Sequence, residues 1–125
     1  KEFSRGKIIV VFGCGGDKDK TKRAPMAETV AVNSDIAIIT SDNPRSENPE
    51  DIMDQMETGF PPSYEYHRET DRKRAILRAL NIAGTGDTVI IAGKGHEGIQ
   101  DYGDRIEAFS ELEIIRGYFE DKNGN

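Results

Sequence analysis

Tryptophan is absent from this sequence, cysteine occurs once, histidine twice, and aromatic residues make up only 7% of it. A single cysteine, Cys14, excludes an internal disulfide, and His67 and His96, far apart and without companion cysteines, form no zinc pattern. Cys14 lies between glycines with no histidine nearby in sequence to activate it, so it is expected to be a half-buried, inert thiol. Any apolar run near the roughly 20 residues that cross a bilayer is also missing. The amino-terminal Lys1-Glu-Phe-Ser-Arg-Gly6 does not read as a signal peptide, and a cytoplasmic protein with no membrane partner is expected. Positive charge is not in excess: 17 basic residues face 23 acidic ones for a net of -6. That field repels phosphate backbones, so nucleic acid is not an expected partner.

What is present is one domain's worth of chain, 125 residues, enough to bury about two thirds of its unfolded surface around one core. Lys7-Ile-Ile-Val-Val-Phe12 is a continuous apolar run closed by Gly13-Cys-Gly-Gly16, the pattern of a strand buried on both faces. A short helix over Lys22 to Val32 and a second buried strand over Asp35 to Thr40 follow. Asn48-Pro-Glu-Asp51 combines a capping amide, a proline at the first helical position and acids in the first turn, which together mark a helix start. Gly59-Phe-Pro-Pro62 ends that helix, and Ser63 to His67 is a weaker strand. Thr70 can cap a helix over Asp71 to Ala83, whose Ile76, Ala79, Leu80 and Ala83 share one face. Thr88 to Ala92 is predicted as a third buried strand. Ile99 to Tyr102 and Arg105 to Phe109 read as a hairpin, and Ser110-Glu-Leu-Glu113 as a capping box that opens a last helix. Buried strands alternating with amphipathic helices predict an α/β layered fold with a mostly parallel sheet and an antiparallel hairpin near the end. Residues 120–125 are expected to be a disordered tail.

In such a sheet ligands bind beyond the carboxyl ends of the strands. Three of those ends carry unusual sequence: Gly13-Cys-Gly-Gly-Asp-Lys-Asp-Lys-Thr-Lys-Arg23, Thr40-Ser-Asp-Asn-Pro-Arg45, and Ala92-Gly-Lys-Gly-His-Glu97. The first is neither a dinucleotide fingerprint nor a phosphate loop, because Lys18 and Asp19 stand where glycines are needed. It is either a glycine turn leading into a solvated helix start, or a place where Lys18, Lys20 and Arg23 meet an anionic group of a ligand held mainly elsewhere. In the second, Pro44 stiffens the turn, and Arg45 projects a planar guanidinium suited to bidentate capture of a carboxylate. An ion pair between Asp42 and Arg45 that merely staples the turn is the plain alternative. In the third, two glycines allow close backbone approach and Glu97 suits an ammonium, while His96 is more often structural than catalytic.

Taken together, Phe12-Gly-Cys-Gly-Gly-Asp-Lys-Asp-Lys20, Asp42-Asn-Pro-Arg45 and Ala92-Gly-Lys-Gly-His-Glu97 make the chain resemble, over nearly its whole length, the C-terminal domain of the Mur ligases. Asp-Asn-Pro-Arg is the signature of the members that add meso-diaminopimelate to UDP-N-acetylmuramoyl-L-alanyl-D-glutamate during peptidoglycan precursor synthesis. The resemblance implies a Rossmann-like three-layer domain over residues 1–119, with a mostly parallel sheet of about six strands and one antiparallel strand near the C-terminus. It also implies an ATP-dependent amide ligase of cell-wall biogenesis whose ATP and magnesium sit mainly on a central domain, and whose UDP-linked substrate sits on an amino-terminal one. This domain then binds and orients the amine acceptor.

Carried over residue by residue, Arg45 binds the far carboxylate of diaminopimelate with Asp42, Asn43 and Pro44 completing that turn. The backbone of Gly93 and the carboxylate of Glu97 hold the acceptor's ammonium. Lys18 stands where the family commonly has an arginine that contacts the acceptor. Lysine keeps the charge and loses the fork. No catalytic residue and no metal ligand are implied within the domain, which alone is expected to bind no ATP or magnesium and to be inactive. Two alternatives stay open from the sequence: a ligase for a different amino acid, and a non-catalytic α/β module binding a nucleotide or small anion.

Overall fold

A computed structural model describes residues 6–16 and 19–92, together with the backbone of 99–101 and 106–108. Four parallel strands form its sheet: β1 (Ile8–Phe12), β2 (Ile36–Ile39), β3 (Glu65–Arg68) and β4 (Thr88–Ile91), in the order β3-β2-β1-β4. Three helices connect them: α1 (Arg23–Asn33) after a single 3-10 turn at Lys20–Lys22, α2 (Pro49–Glu57) and α3 (Arg72–Ile82). Strand period sets the layers, since alternate side chains point to opposite faces. Val10, Phe12, Ala37 and Ile39 pack with Ala27 of α1 and Ile52, Met53 and Met56 of α2. Ile9, Val11, Ile36 and Ile38 pack with Ala75, Ile76 and Ala79 of α3. The sheet thus has helices on both faces, as both the apolar runs and the family resemblance imply.

Helix starts follow the local sequence. The Asn48 side chain accepts from the Glu50 amide at 2.9 Å with Pro49 at the first helical position, as expected. At α3 the cap is Asp71 rather than Thr70: the Asp71 carboxylate accepts from the Arg74 amide at 3.2 Å, and the Thr70 hydroxyl donates instead to Glu50 of α2. A carboxylate one residue closer to the helix reaches the third amide, which leaves the hydroxyl available for a tertiary contact.

Three further expectations are corrected. Among the described residues the sheet has four strands, all parallel, rather than about six with one antiparallel member. The antiparallel pairing seen among them joins β5 (Ile99–Asp101) to β6 (Ile106–Ala108) in a separate two-stranded ladder. Antiparallel neighbours close on a short connection and need no third strand for their register, so a run of strand-forming residues does not say which sheet it joins. β4 is not a fully buried strand. It pairs with β1 alone in the four-strand order, and Thr88 and Ile90 are exposed, the latter at 46%. β3 begins two residues later than expected, because Pro61 and Pro62 keep the chain in turns through Ser63. The expected helix from Ser110 and the tail at 120–125 lie outside the described residues.

Candidate functional site

The strand order reverses beside β1: successive connections run β1 to β2 to β3 in one direction, and β4 then returns to the other side of β1. Crevices in open α/β sheets form at that reversal, beyond the carboxyl strand ends. Register aligns those ends, with Phe12 opposite Ile39 and Val11 opposite Ile91. The ladder continues past them through Thr40 N–H to the Phe12 carbonyl (3.0 Å) and Ala92 N–H to the Val11 carbonyl (2.9 Å). A cleft of about 620 Å³ opens there. Phe12, Cys14, Met26 and Val30 give it an apolar floor, Asp19 and Asp42 supply acids, Lys22 and Arg45 supply cations, and Ala92 closes the β4 side.

The turn after β2 is built against the loop after β1. The Gly16 amide donates to the Asn43 carbonyl at 2.7 Å, and a Cβ on Gly16 would overlap the Pro44 carbonyl. The glycine is therefore required by backbone contact, independently of any ligand. Asn43 and Pro44 are buried. Arg45 has a φ of 53°, the left-handed region that a bulky side chain occupies only at a cost. Its Nη1 donates to the carbonyls of Gly16 and Asn43, both at 3.2 Å, so the guanidinium is oriented by the two loops at the mouth of the cleft. The sequence foresaw a stiff turn from Pro44; the left-handed arginine had no local signal.

Of the cations in the first loop, Arg23 lines the cleft but is held by partners within the protein. It is 2% exposed, bonded bidentately to Glu47 (3.1 and 2.8 Å), to Gln55 (2.8 Å) and to the Gly15 carbonyl (2.9 Å). Lys20 lies 3.8 Å from the same Glu47. Glu47 thus balances the charge of Arg23 from within the protein. Asp19 caps the 3-10 turn, and the Thr21 hydroxyl and amide hold its carboxyl below the usual range. Cys14 is buried, donates to the Met26 sulfur at 3.5 Å, and has its thiol pushed up to about 11. Burial is the main cause, the Arg23 charge opposes it and Asp42 adds to it. It is more deeply buried than the half-buried thiol expected.

Asp42, Asn43 and Arg45 line the cleft together with Ala92, while Pro44 is buried within the same turn and does not line it. Lys18, Gly93, His96 and Glu97 lie outside the described residues. One residue escaped the sequence reading. Arg72, 1% exposed, donates to the Ala92 carbonyl at 2.8 Å and to the Ser41 carbonyl at 3.5 Å. A signal existed: a cation at the first residue of a helix opposes the helix dipole and calls for another partner. Among the described residues no group of three or more His, Cys, Asp or Glu could hold a metal ion, and no helix is long and apolar enough to cross a membrane.

A family model, "Mur ligase, glutamate ligase domain", matches residues 1–95, and the chain belongs to that family. Among curated relatives it is 50% identical over 116 residues to a UDP-N-acetylmuramoyl-L-alanyl-D-glutamate--2,6-diaminopimelate ligase of Gloeobacter violaceus, covering 93% of this chain and 24% of that protein. It is 47% identical over 121 residues to a ligase of the same name, numbered 1, from Clostridium acetobutylicum, covering 97% of this chain and 25% of that protein. A solved structure titled as a 2,6-diaminopimelate ligase of this kind superposes with a TM-score of 0.87 at 37% identity, over 93% of this chain and 24% of that one. The chain thus spans about a quarter of the length of the relatives it matches.

Proposed function

We propose that this chain is the acceptor-binding domain of an ATP-dependent ligase that joins meso-diaminopimelate to UDP-N-acetylmuramoyl-L-alanyl-D-glutamate, a cytoplasmic step of peptidoglycan precursor synthesis. The observation that carries the reading is Arg45, oriented by the Gly16 and Asn43 carbonyls at the mouth of a cleft of mixed charge, in a chain whose relatives bear that ligase's name. Diaminopimelate is a zwitterion at both ends with a methylene stem between. Acids and cations around an apolar floor match that distribution.

In this reading Arg45 takes the carboxylate at the far end, assisted by Asp42 and Asn43 on the turn that Pro44 stiffens. Gly93 and Glu97 hold the ammonium end, and Lys18 makes a further contact with the acceptor. ATP, bound with magnesium by parts of the ligase that this chain does not span, supplies the phosphoryl group that activates the dipeptide's terminal carboxylate. The acceptor amine then attacks the activated carbonyl carbon and phosphate leaves as the amide forms. The domain contributes orientation and exclusion of water. Lysine lacks the far carboxylate, so binding it would forgo the charge-assisted pairing with Arg45, worth about 1.5 to 3 kcal/mol, and leave the guanidinium on its backbone carbonyls. That suffices for strong discrimination without editing.

Kinetics of the full-length ligase test this. Arg45→Ala is expected to erase most of the preference for diaminopimelate over lysine while leaving the KM for ATP unchanged; an unaltered preference would remove Arg45 from its role. Robust amide synthesis by residues 1–125 alone would overturn the assignment of activation to other domains.

A further inference from the structure

The geometry points to Arg72 as a positioning residue for the acceptor cleft: by tying the Ser41 carbonyl to the Ala92 carbonyl, it sets the distance between the β2 wall and the β4 wall. The inference rests on the acceptor-binding reading of that cleft. Ser41 immediately precedes Asp42, and Ala92 itself lines the cleft. Arg72 does not line it; the side chain rises from the start of α3, on the opposite face of the sheet from α1 and α2, and ends behind the strand termini.

Its placement is costly in three ways. The guanidinium is 1% exposed, it stands at the first residue of a helix where the dipole disfavours a cation, and Lys73 and Arg74 follow it without an acid in the first turn. The 2.8 Å bond to the Ala92 carbonyl offsets part of that cost, since short bonds from a charged donor are the strong ones, and the 3.5 Å contact with the Ser41 carbonyl adds a weaker one. A planar fork can hold two carbonyls at once in fixed geometry, whereas a lysine ammonium is a point charge on a flexible stem. The two strands it joins are not neighbours, because β1 lies between them. Hydrogen bonds of the sheet alone therefore transmit their relative height only through β1, and Arg72 supplies a direct tie at the edge where a ligand's two ends would be held.

Arg72→Lys and Arg72→Met in the full-length ligase, compared by steady-state kinetics and thermal unfolding, test the inference. The expected result for Arg72→Met is a rise of roughly tenfold or more in the KM for diaminopimelate, with the KM values for ATP and the UDP-linked dipeptide within about twofold, because a shift of about 1 Å in a bound group is felt strongly. Arg72→Lys is expected to fall between, keeping the charge and losing the fork. Unchanged acceptor KM in both variants overturns the proposal. So does a uniform loss, in which all three KM values, kcat and the unfolding temperature move together, or failure of both variants to fold, since each makes Arg72 a stability residue only. The preference for diaminopimelate over lysine is set by Arg45 and is expected to survive in both Arg72 variants. Arg45→Ala thus tests the reading of the cleft, and the Arg72 pair tests the tie behind it.

Discussion

Gly16 and Pro44 approach so closely that no side chain fits between them: the Gly16 amide reaches the Asn43 carbonyl at 2.7 Å, and a Cβ would overlap the carbonyl of Pro44. The obstacle is backbone, which cannot swing aside as the tip of a side chain can. Gly16→Ala is therefore expected to destabilise the domain by about 1 to 3 kcal/mol, as other overpacking substitutions do. Urea unfolding of the isolated domain measures it. A stability indistinguishable from the parent would show that the two loops separate freely.

Arg45 joins the same two loops from the other side, and its backbone and side chain separate by substitution. At a φ of 53° alanine carries the same left-handed penalty as arginine, whereas glycine carries none. Both variants lose the bonds to Gly16 and Asn43. Arg45→Gly is expected to be more stable than Arg45→Ala by about 1 kcal/mol, the cost of a left-handed L-residue. Equal stabilities would mean that the turn relaxes once the guanidinium is gone.

The layered fold was legible because its core runs are long and apolar on both faces: Ile8–Phe12 and Ile36–Ile39 fall where the sequence placed strands, and the Asn48-Pro49 start of α2 holds to the residue. The Asp42–Arg45 turn was legible as a unit from its proline and its place after a strand. What the sequence did not reveal is tertiary. Thr70 and Asp71 are both competent caps, and the choice between them turned on Glu50 of another helix. Arg23 and Arg72 look alike on paper to any surface cation. Their burial depends on carbonyls and a carboxylate brought from elsewhere in the chain, at Gly15 and Glu47 for one and Ser41 and Ala92 for the other. Charge at a helix start is a weak hint in both cases, which periodicity does not register.

Cys14 gives a prediction in pH. Its thiol is raised from 9.0 to about 11 by burial, so the folded state holds the proton where an unfolded chain releases it. The sign follows from linkage: the contribution to stability is whole below the ordinary thiol value and is lost as the pH rises through the folded one. Cys14→Ala should flatten the alkaline fall in stability between those limits. Iodoacetamide at about pH 8 should modify the folded protein far more slowly than a free thiol, since only the thiolate reacts. Modification at the free rate would place the sulfur in solvent.

The ion pair of Arg23 with Glu47 yields an asymmetry that depends on which charge is left dry. Arg23 is 2% exposed on its side chain, and Glu47 is 15% exposed. Removing the carboxylate in Glu47→Leu leaves the guanidinium buried without its anion, though still bonded to the Gln55 and Gly15 oxygens, and a buried pair broken this way costs about 3 to 5 kcal/mol. Removing the cation in Arg23→Met leaves a carboxylate with some access to water and with Lys20 at 3.8 Å, so the loss should be smaller. The double replacement should be less damaging than the sum of the two, because neither charge is then left behind. Denaturant unfolding of the two single variants and the double variant gives all three values. If Arg23→Met proves the more harmful single change, the arginine's main contribution is its packing and its bonds to Gln55 and Gly15, and the carboxylate is secondary.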